Sequence, residues 1–490
     1  MNSLPSASDA QKHSPDPISL SRILGIGFSI AVIFGGTVGV GILRLPGTIA
    51  GEMGSFWPIM LTWLIGGAYA LLGAISIAEL GTAMPQAGGF YVYSRRAFGP
   101  AAGFAMGWAD WLNNCAVVAF ASVAAAEYLA ALFPSLLPLQ TPVALTILLA
   151  FTALQWNSLR IGSSVQQITS SITAITFIFL AIACLTHHGV TNPQAAAATS
   201  PLHATGFVQR IIPLVAAMRA VVVTYDGWYE AIYFTEEDTD AAKHLPRAMI
   251  GGVLLVLGLY LLMNLAFLHV LSIPALAASP LPAADAARMV LPAWSGTFIT
   301  VLSLLTLLSL INAVLLGAPR ILFAIGRDGL FSSRAAQVAP GGTPRVALAV
   351  SAAVAALFIA SGKFEDIIAV AAILVALMYC VNYLAVFVLR ARDPQMNRPF
   401  RAWGYPLTTG LVLLGSLAFL VADLHDDPHG ALRAAVLLCV AIPVYAWMRW
   451  KNRGINTSSA TFPAASPDCE TIIPGDPKLV QERNRPDARQ

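Results

Sequence analysis

Twelve separate runs of mostly apolar residues are spread along this chain of 490 residues. They fall near 22–51, 56–83, 100–133, 142–160, 165–187, 208–236, 247–272, 293–325, 345–361, 365–390, 405–424 and 431–450. A helix needs about 20 such residues to cross the hydrocarbon core of a bilayer. Composition agrees, since 57% of the residues are hydrophobic and only 11% are charged. Soluble domains carry about 25% charged residues, so this chain lacks the polar surface to dissolve as a globule. The expected fold is all-α and integral to the membrane, with twelve transmembrane helices.

The basic residues orient the spans, because cytoplasmic loops are enriched in Lys and Arg. With the N-terminus inside, the loops that should be cytoplasmic hold Arg95 and Arg96; Arg160; Lys243 and Arg247; Arg327, Arg334 and Arg345; and Arg390, Arg392, Arg398 and Arg401. The opposite loops hold little beyond Arg288 and Lys363. Trp57, Trp294, Trp403, Trp447 and Trp450 stand at span ends, as an interfacial belt requires. The N-terminus is polar and lacks the apolar core of a signal peptide. The expectation is a multi-pass protein of the cytoplasmic membrane with both termini cytoplasmic. Polar tails over 1–21 and 451–490 are expected to be disordered.

Several function classes drop out. Cys115, Cys184, Cys380, Cys439 and Cys469 form no CxxC pair, so no metal or disulfide framework is indicated. No basic, aromatic-interleaved patch suggests nucleic acid. Walker, HExxH and GxSxG motifs are absent, the loops are short, and no cofactor or enzymatic activity is expected.

Two spans carry interruptions. The first contains GGTVGVGIL, with Gly35, Gly36, Gly39 and Gly41 close together. Each glycine weakens a helix by about 1 kcal/mol relative to alanine, so the run predicts unwinding in mid-membrane. The alternative is close helix packing through small residues. The sixth span contains VTYDGWYEA, where an Asp-Gly turn signal falls inside an apolar helix. Spans one and six are equivalent in two five-helix halves, over 22–190 and 207–391, and paired interruptions at matching places point to a transporter site built on inverted repeats. Where a helix restarts, free amides favour an anion; where one stops, free carbonyls favour a cation. One break therefore suits a zwitterion such as an α-amino acid.

The segments GGTVGVGILRLPG, AELGTAMPQAGGFYVYSRRAFGP and TYDGWYEAIYFTEED, with NRPFRAWGYP before span eleven, resemble the amino acid–polyamine–organocation superfamily, and more closely its L-type-like amino acid permeases. The resemblance implies a LeuT-type fold of five plus five inverted-repeat helices and two additional helices over 404–450. It places the substrate carboxylate at amides of Val40, Gly41 and Ile42, beside Gly39. It places the amino group at carbonyls of Gly36, Thr37, Val223, Thr224 and Gly227, with Trp228 and Tyr229 as side-chain contacts, gate elements or packing aromatics. Many members carry a lysine in span five in place of a coupling cation; here that position falls on Thr173, which leaves room for sodium, a proton carried elsewhere, or pure exchange. The loop PSLLPLQT lacks the cysteine through which mammalian relatives join a glycoprotein, so no disulfide-linked ancillary chain is expected.

Ionisable groups in spans are costly and are candidate functional residues by default. Asp226 could face a substrate ammonium, accept a proton, or cap the second half-helix. Arg44 and Arg219 could form an outer gate with Glu127 or extend to the interface. Asp110 lies among Asn113 and Asn114, one of which could read the substrate. Glu79 reads as a structural or inner-gate element, and the run Glu236–Asp240 as a solvated acidic face. Val40, Thr37, Val223 and Tyr229 suggest a neutral lining and hence neutral amino acids. The sequence thus predicts a secondary transporter of amino acids in the lipid bilayer. The rivals are a carrier of cationic amino acids or polyamines, and a non-transporting sensor.

Overall fold

A computed structural model describes residues 20–188, 207–361 and 364–453. The tails expected over 1–21 and 451–490 lie outside the described residues, save for the few that border the helices. One compact unit runs to Met448; of the unit beyond it, Arg449–Gln490, only the end of the last helix is described.

The described residues are almost wholly helical, because the apolar runs leave no water to satisfy backbone groups and a helix satisfies them internally. Among them nine single helices are long and apolar enough to cross a membrane. A further pair, Ile26–Thr37 and Gly41–Met53, is bent by 51° and is long and apolar enough when its two helices are taken together. Shorter apolar helices, Phe207–Thr224 and Arg345–Ser361, stand at the sixth and ninth runs. Every run thus coincides with a helix or a bent pair. The chain is an all-α, multi-pass membrane protein.

The span-eight helix, Ser295–Arg327, is buried along most of its length and packs against the span-three helix, Pro100–Leu132. By contrast, Leu407, Leu411, Leu414, Leu432, Val436 and Ile442 on the last two helices are exposed, as lipid-facing side chains are. Among the described residues three short α-helices lie outside the expected spans: Phe90–Phe98 after span two, and Ile273–Ala278 and Pro282–Val290 between spans seven and eight.

Several charged groups inside this body are paired. Glu79 is fully buried and accepts hydrogen bonds from Arg390 and from the amide of Ala402 at 2.7 Å, with Arg398 at 3.2 Å. That joins span two to span ten and to the segment before span eleven. Arg320, which sequence reasoning passed over, donates to both oxygens of Glu237 at 2.6 and 3.0 Å and lies over the Phe234 ring.

The acidic run after span six is not the solvated face expected of it. Glu236 meets Arg327 and the amide of Ala87, Glu237 meets Arg320, and Asp238 meets His244. Lys243, 2.8 Å from Asp240, holds that exposed carboxyl below the usual carboxylate range. Glu236, Glu237 and Asp238 turn inward because each finds a donor. The same segment is tied to the chain entering span one: Ile23 and Leu24 donate to the Glu237 carbonyl at 3.0 and 2.9 Å, and Thr239 donates to that of Leu24 at 3.0 Å.

Candidate functional site

The first break is shorter than the glycine run that signals it. Gly35 and Gly36 stay helical, and the chain leaves the helix at Val38 and re-enters it at Gly41. Among the described residues, the amides of Gly39, Val40, Gly41 and Ile42 meet no hydrogen-bond acceptor. Four such donors at the positive end of a helix form an anion cradle. Gly36, Gly39, Val40 and Gly41 are also partly exposed although they sit in mid-span.

Span six loses its α-helix at Thr224 and continues as turns and a 3₁₀ segment, Glu230–Phe234. Gly227 takes φ +98°, a left-handed conformation that favours glycine. The two breaks touch. A Cβ built on Gly41 would lie 3.2 Å from Thr224 Cγ2, and one built on Gly227 would lie 3.0 Å from the Thr37 nitrogen. Tyr260, fully buried on span seven, places its hydroxyl 3.1 Å from the carbonyl oxygen of Thr37 and 3.0 Å from that of Thr224.

The carbonyls expected to meet an amino group are therefore partly occupied. Thr37 and Thr224 face Tyr260, Val223 accepts from the Asp226 amide at 3.3 Å, and Gly227 accepts from Glu230 at 3.2 Å. Only Gly36 among them has no donor in the described residues; the others keep a second lone pair. The Val223 side chain is 63% exposed, unlike the buried Thr37 and Tyr229 with which it was expected to form a neutral lining. The run Ala220–Val223 is apolar on every side and gives no sequence signal of which face turns inward.

Asp226 does not cap an α-helix, since none restarts there. Its Oδ1 accepts from the Tyr379 hydroxyl of span ten. Trp228 stacks on Tyr379 with ring centroids 5.6 Å apart, and Tyr229 lies 5.0 Å from Phe90, so both aromatics are buried in one ring cluster. Asn114 donates to the Asp110 carbonyl at 2.8 Å and to its Oδ1 at 3.0 Å; Asn113 and Asp110 are buried beside it. Tyr233, from the 3₁₀ segment, donates to the same Oδ1 at 2.7 Å and so brings span three to the break.

The outer gate imagined for Arg44, Arg219 and Glu127 is not assembled here. Arg219 pairs with Asp423, at 2.7 Å, and with Asp426 at the end of span eleven. Arg44 reaches the Tyr128 hydroxyl at 3.5 Å, and Glu127 is exposed with no ion pair among the described residues. Thr173 is buried, and its hydroxyl has no partner among the described residues. Near it, Gln166 and Ser170 of span five reach the Ala31 carbonyl of span one and Ser309 of span eight.

Glu230 was missed by sequence reading. It is 3% exposed, and its side chain lies between the glycines of spans one and eight, with the methylenes against Gly36 and Oε2 against Gly317. The criterion that singled out Asp226, an ionisable group inside an apolar span, would have found it.

Comparison with known proteins meets this geometry at the same helices. The sequence profile described as "Amino acid permease" matches residues 27–442, well over half of the chain. The chain belongs to the amino acid permease family. Curated relatives match it at similar distances. The serine/threonine exchanger SteT of Bacillus subtilis (strain 168) is 26% identical over 435 residues, covering 88% of this chain and 97% of the relative. The b(0,+)-type amino acid transporter 1 of Mus musculus is 26% identical over 455 residues, covering 89% and 90%. The Asc-type amino acid transporter 1 of Homo sapiens is 26% identical over 499 aligned positions, covering 96% and 93%. This amino acid permease is thus a secondary transporter of the amino acid–polyamine–organocation superfamily, and its family is one of transporters rather than enzymes.

Proposed function

We propose that this permease moves α-amino acids across the cytoplasmic membrane by alternating access around the two breaks. It does so through twelve crossings, with both termini cytoplasmic. The observation that carries the reading is the row of four unpartnered amides from Gly39 to Ile42, near the Gly36 carbonyl, which has no donor among the described residues. A substrate carboxylate on those amides and its ammonium at Gly36 use both ends of one break. The relatives named as exchangers and transporters of amino acids support it. The two five-helix halves, 22–190 and 207–391, supply the moving bundle and its scaffold, and no disulfide-linked second chain takes part.

The test is uptake of a labelled amino-acid mixture into proteoliposomes, empty or preloaded with unlabelled amino acids, with no sodium or pH gradient. Uptake only into preloaded vesicles assigns exchange. Equal filling of empty vesicles assigns uniport or ion symport. No uptake of any amino acid under either condition overturns the reading.

A further inference from the structure

We propose that the lower part of this site takes the cationic end of a basic amino acid, with Glu230 and Asp110 as the residues that select it. The inference rests on the transport reading above and specifies the substrate class.

Glu230 opens the 3₁₀ segment that follows the second break. A Cβ built on Gly36 would lie 2.6 Å from its Cγ, and one built on Gly317 would lie 3.2 Å from its Oε2. The side chain therefore occupies the space between the first break and span eight, which two glycines leave free for it. Tyr233 stands three residues on, eclipsed with Glu230 in a 3₁₀ turn, and binds Asp110 Oδ1. Both acids thus belong to one chamber.

That chamber is rich in acceptors and poor in donors. Asp110 Oδ2 and Glu230 Oε2 are buried with no partner among the described residues. So are Asn113 Oδ1, Asn114 Oδ1 and the Thr37 hydroxyl, which are not part of the acidic pair. Asn113 lies three residues along span three from Asp110, on the same face. Arg320, three residues beyond Gly317, is committed to both oxygens of Glu237, and no other ion pair among the described residues reaches Asp110 or Glu230.

Buried carboxylates without a counter-charge are strongly disfavoured, so this chamber has to receive positive charge. A bare proton answers one oxygen. An ammonium offers three donors and a guanidinium five, enough to meet both acid oxygens at once. The route is continuous, because Gly36 touches Glu230 and lies three residues before the Gly39–Ile42 amides. With the head group at those amides, the side chain of a basic amino acid would run past Gly36 toward Glu230.

The experiment measures half-saturation for uptake of labelled L-lysine and labelled L-leucine into preloaded proteoliposomes of the full-length protein. Wild type is expected to prefer L-lysine. Glu230→Gln should lower the lysine-over-leucine preference by about tenfold or more, the usual weight of a hydrogen bond to a charged group. Asp110→Asn should lower it in the same direction, and Glu230→Asp should retain most of it. Elution and thermal midpoint in detergent establish that each variant is folded. A preference unmoved by Glu230→Gln overturns the proposal, as does a wild type that carries L-leucine but not L-lysine. So does a Glu230→Gln protein that loses its response to an imposed pH gradient while keeping lysine preference, because the carboxylate would then be a proton site. Failure to carry either amino acid, or any other, overturns the transport reading instead.

Discussion

Gly227 and Gly36 meet backbone to backbone where the two broken helices cross. A Cβ on Gly227 would lie 2.6 Å from the Gly36 carbonyl carbon, closer than side chains come, and Gly227 sits at φ +98°. The breaks can be neighbours only because neither position carries a side chain.

Gly227→Ala should therefore be costly twice, through a left-handed alanine at about 1–2 kcal/mol and through displacement of span one. We expect a lower thermal midpoint in detergent and at least about a tenfold loss of uptake rate, equivalent to about 1.4 kcal/mol on the barrier. A variant with wild-type melting and wild-type uptake would show that the contact is dispensable.

Tyr260→Phe removes the hydroxyl that faces the carbonyls of Thr37 and Thr224. An unsatisfied buried polar group costs about 1–3 kcal/mol, so stability in detergent should fall by about that much. The measurement is denaturation monitored by tryptophan fluorescence, and an unchanged midpoint would mean that water takes the hydroxyl's place.

Arg320→Met leaves Glu237 buried without its cation. Breaking one side of a buried pair costs about 3–5 kcal/mol, whereas replacing both sides is often nearly neutral. The double variant Arg320→Met with Glu237→Gln should recover most of the stability lost in the single one. Thermal melting of both proteins decides this, and a double variant as unstable as the single would locate the cost elsewhere.

Uptake should not need sodium. Gln166 and Ser170 both donate to the Ala31 carbonyl, at 3.2 and 2.8 Å, which uses both of its lone pairs. Replacing sodium by choline in the uptake medium should change the rate by less than about twofold, under 0.5 kcal/mol. A collapse of uptake in choline would mean that a cation still binds near Thr173.

The fold was legible because a bilayer allows so few solutions: apolar length gave the helices, and paired glycine and Asp-Gly signals gave both interruptions. Their exact extent was not. GGTVGVGIL does not say that Gly35 and Gly36 remain helical, because their small size serves contact with Gln166 and Glu230 rather than unwinding. Val223 could not be oriented inside a run apolar on every side. Partners distant in sequence were also hidden. Arg219 finds Asp423, Asp226 finds Tyr379, and Asp110 finds Tyr233 only once the helices are placed. Glu230 is different, since its charge within an apolar span was visible from the start.

The link between Leu24 and the segment from Glu237 to Thr239 is made by main-chain amides and carbonyls alone. Evolutionary drift in the side chains there leaves it intact, so the entry to span one and the exit from span six stay yoked through almost any point substitution. Inserting a single residue between Thr235 and Asp240, or placing a proline at Leu24, is the kind of change that would uncouple the two broken helices and let each swing by itself.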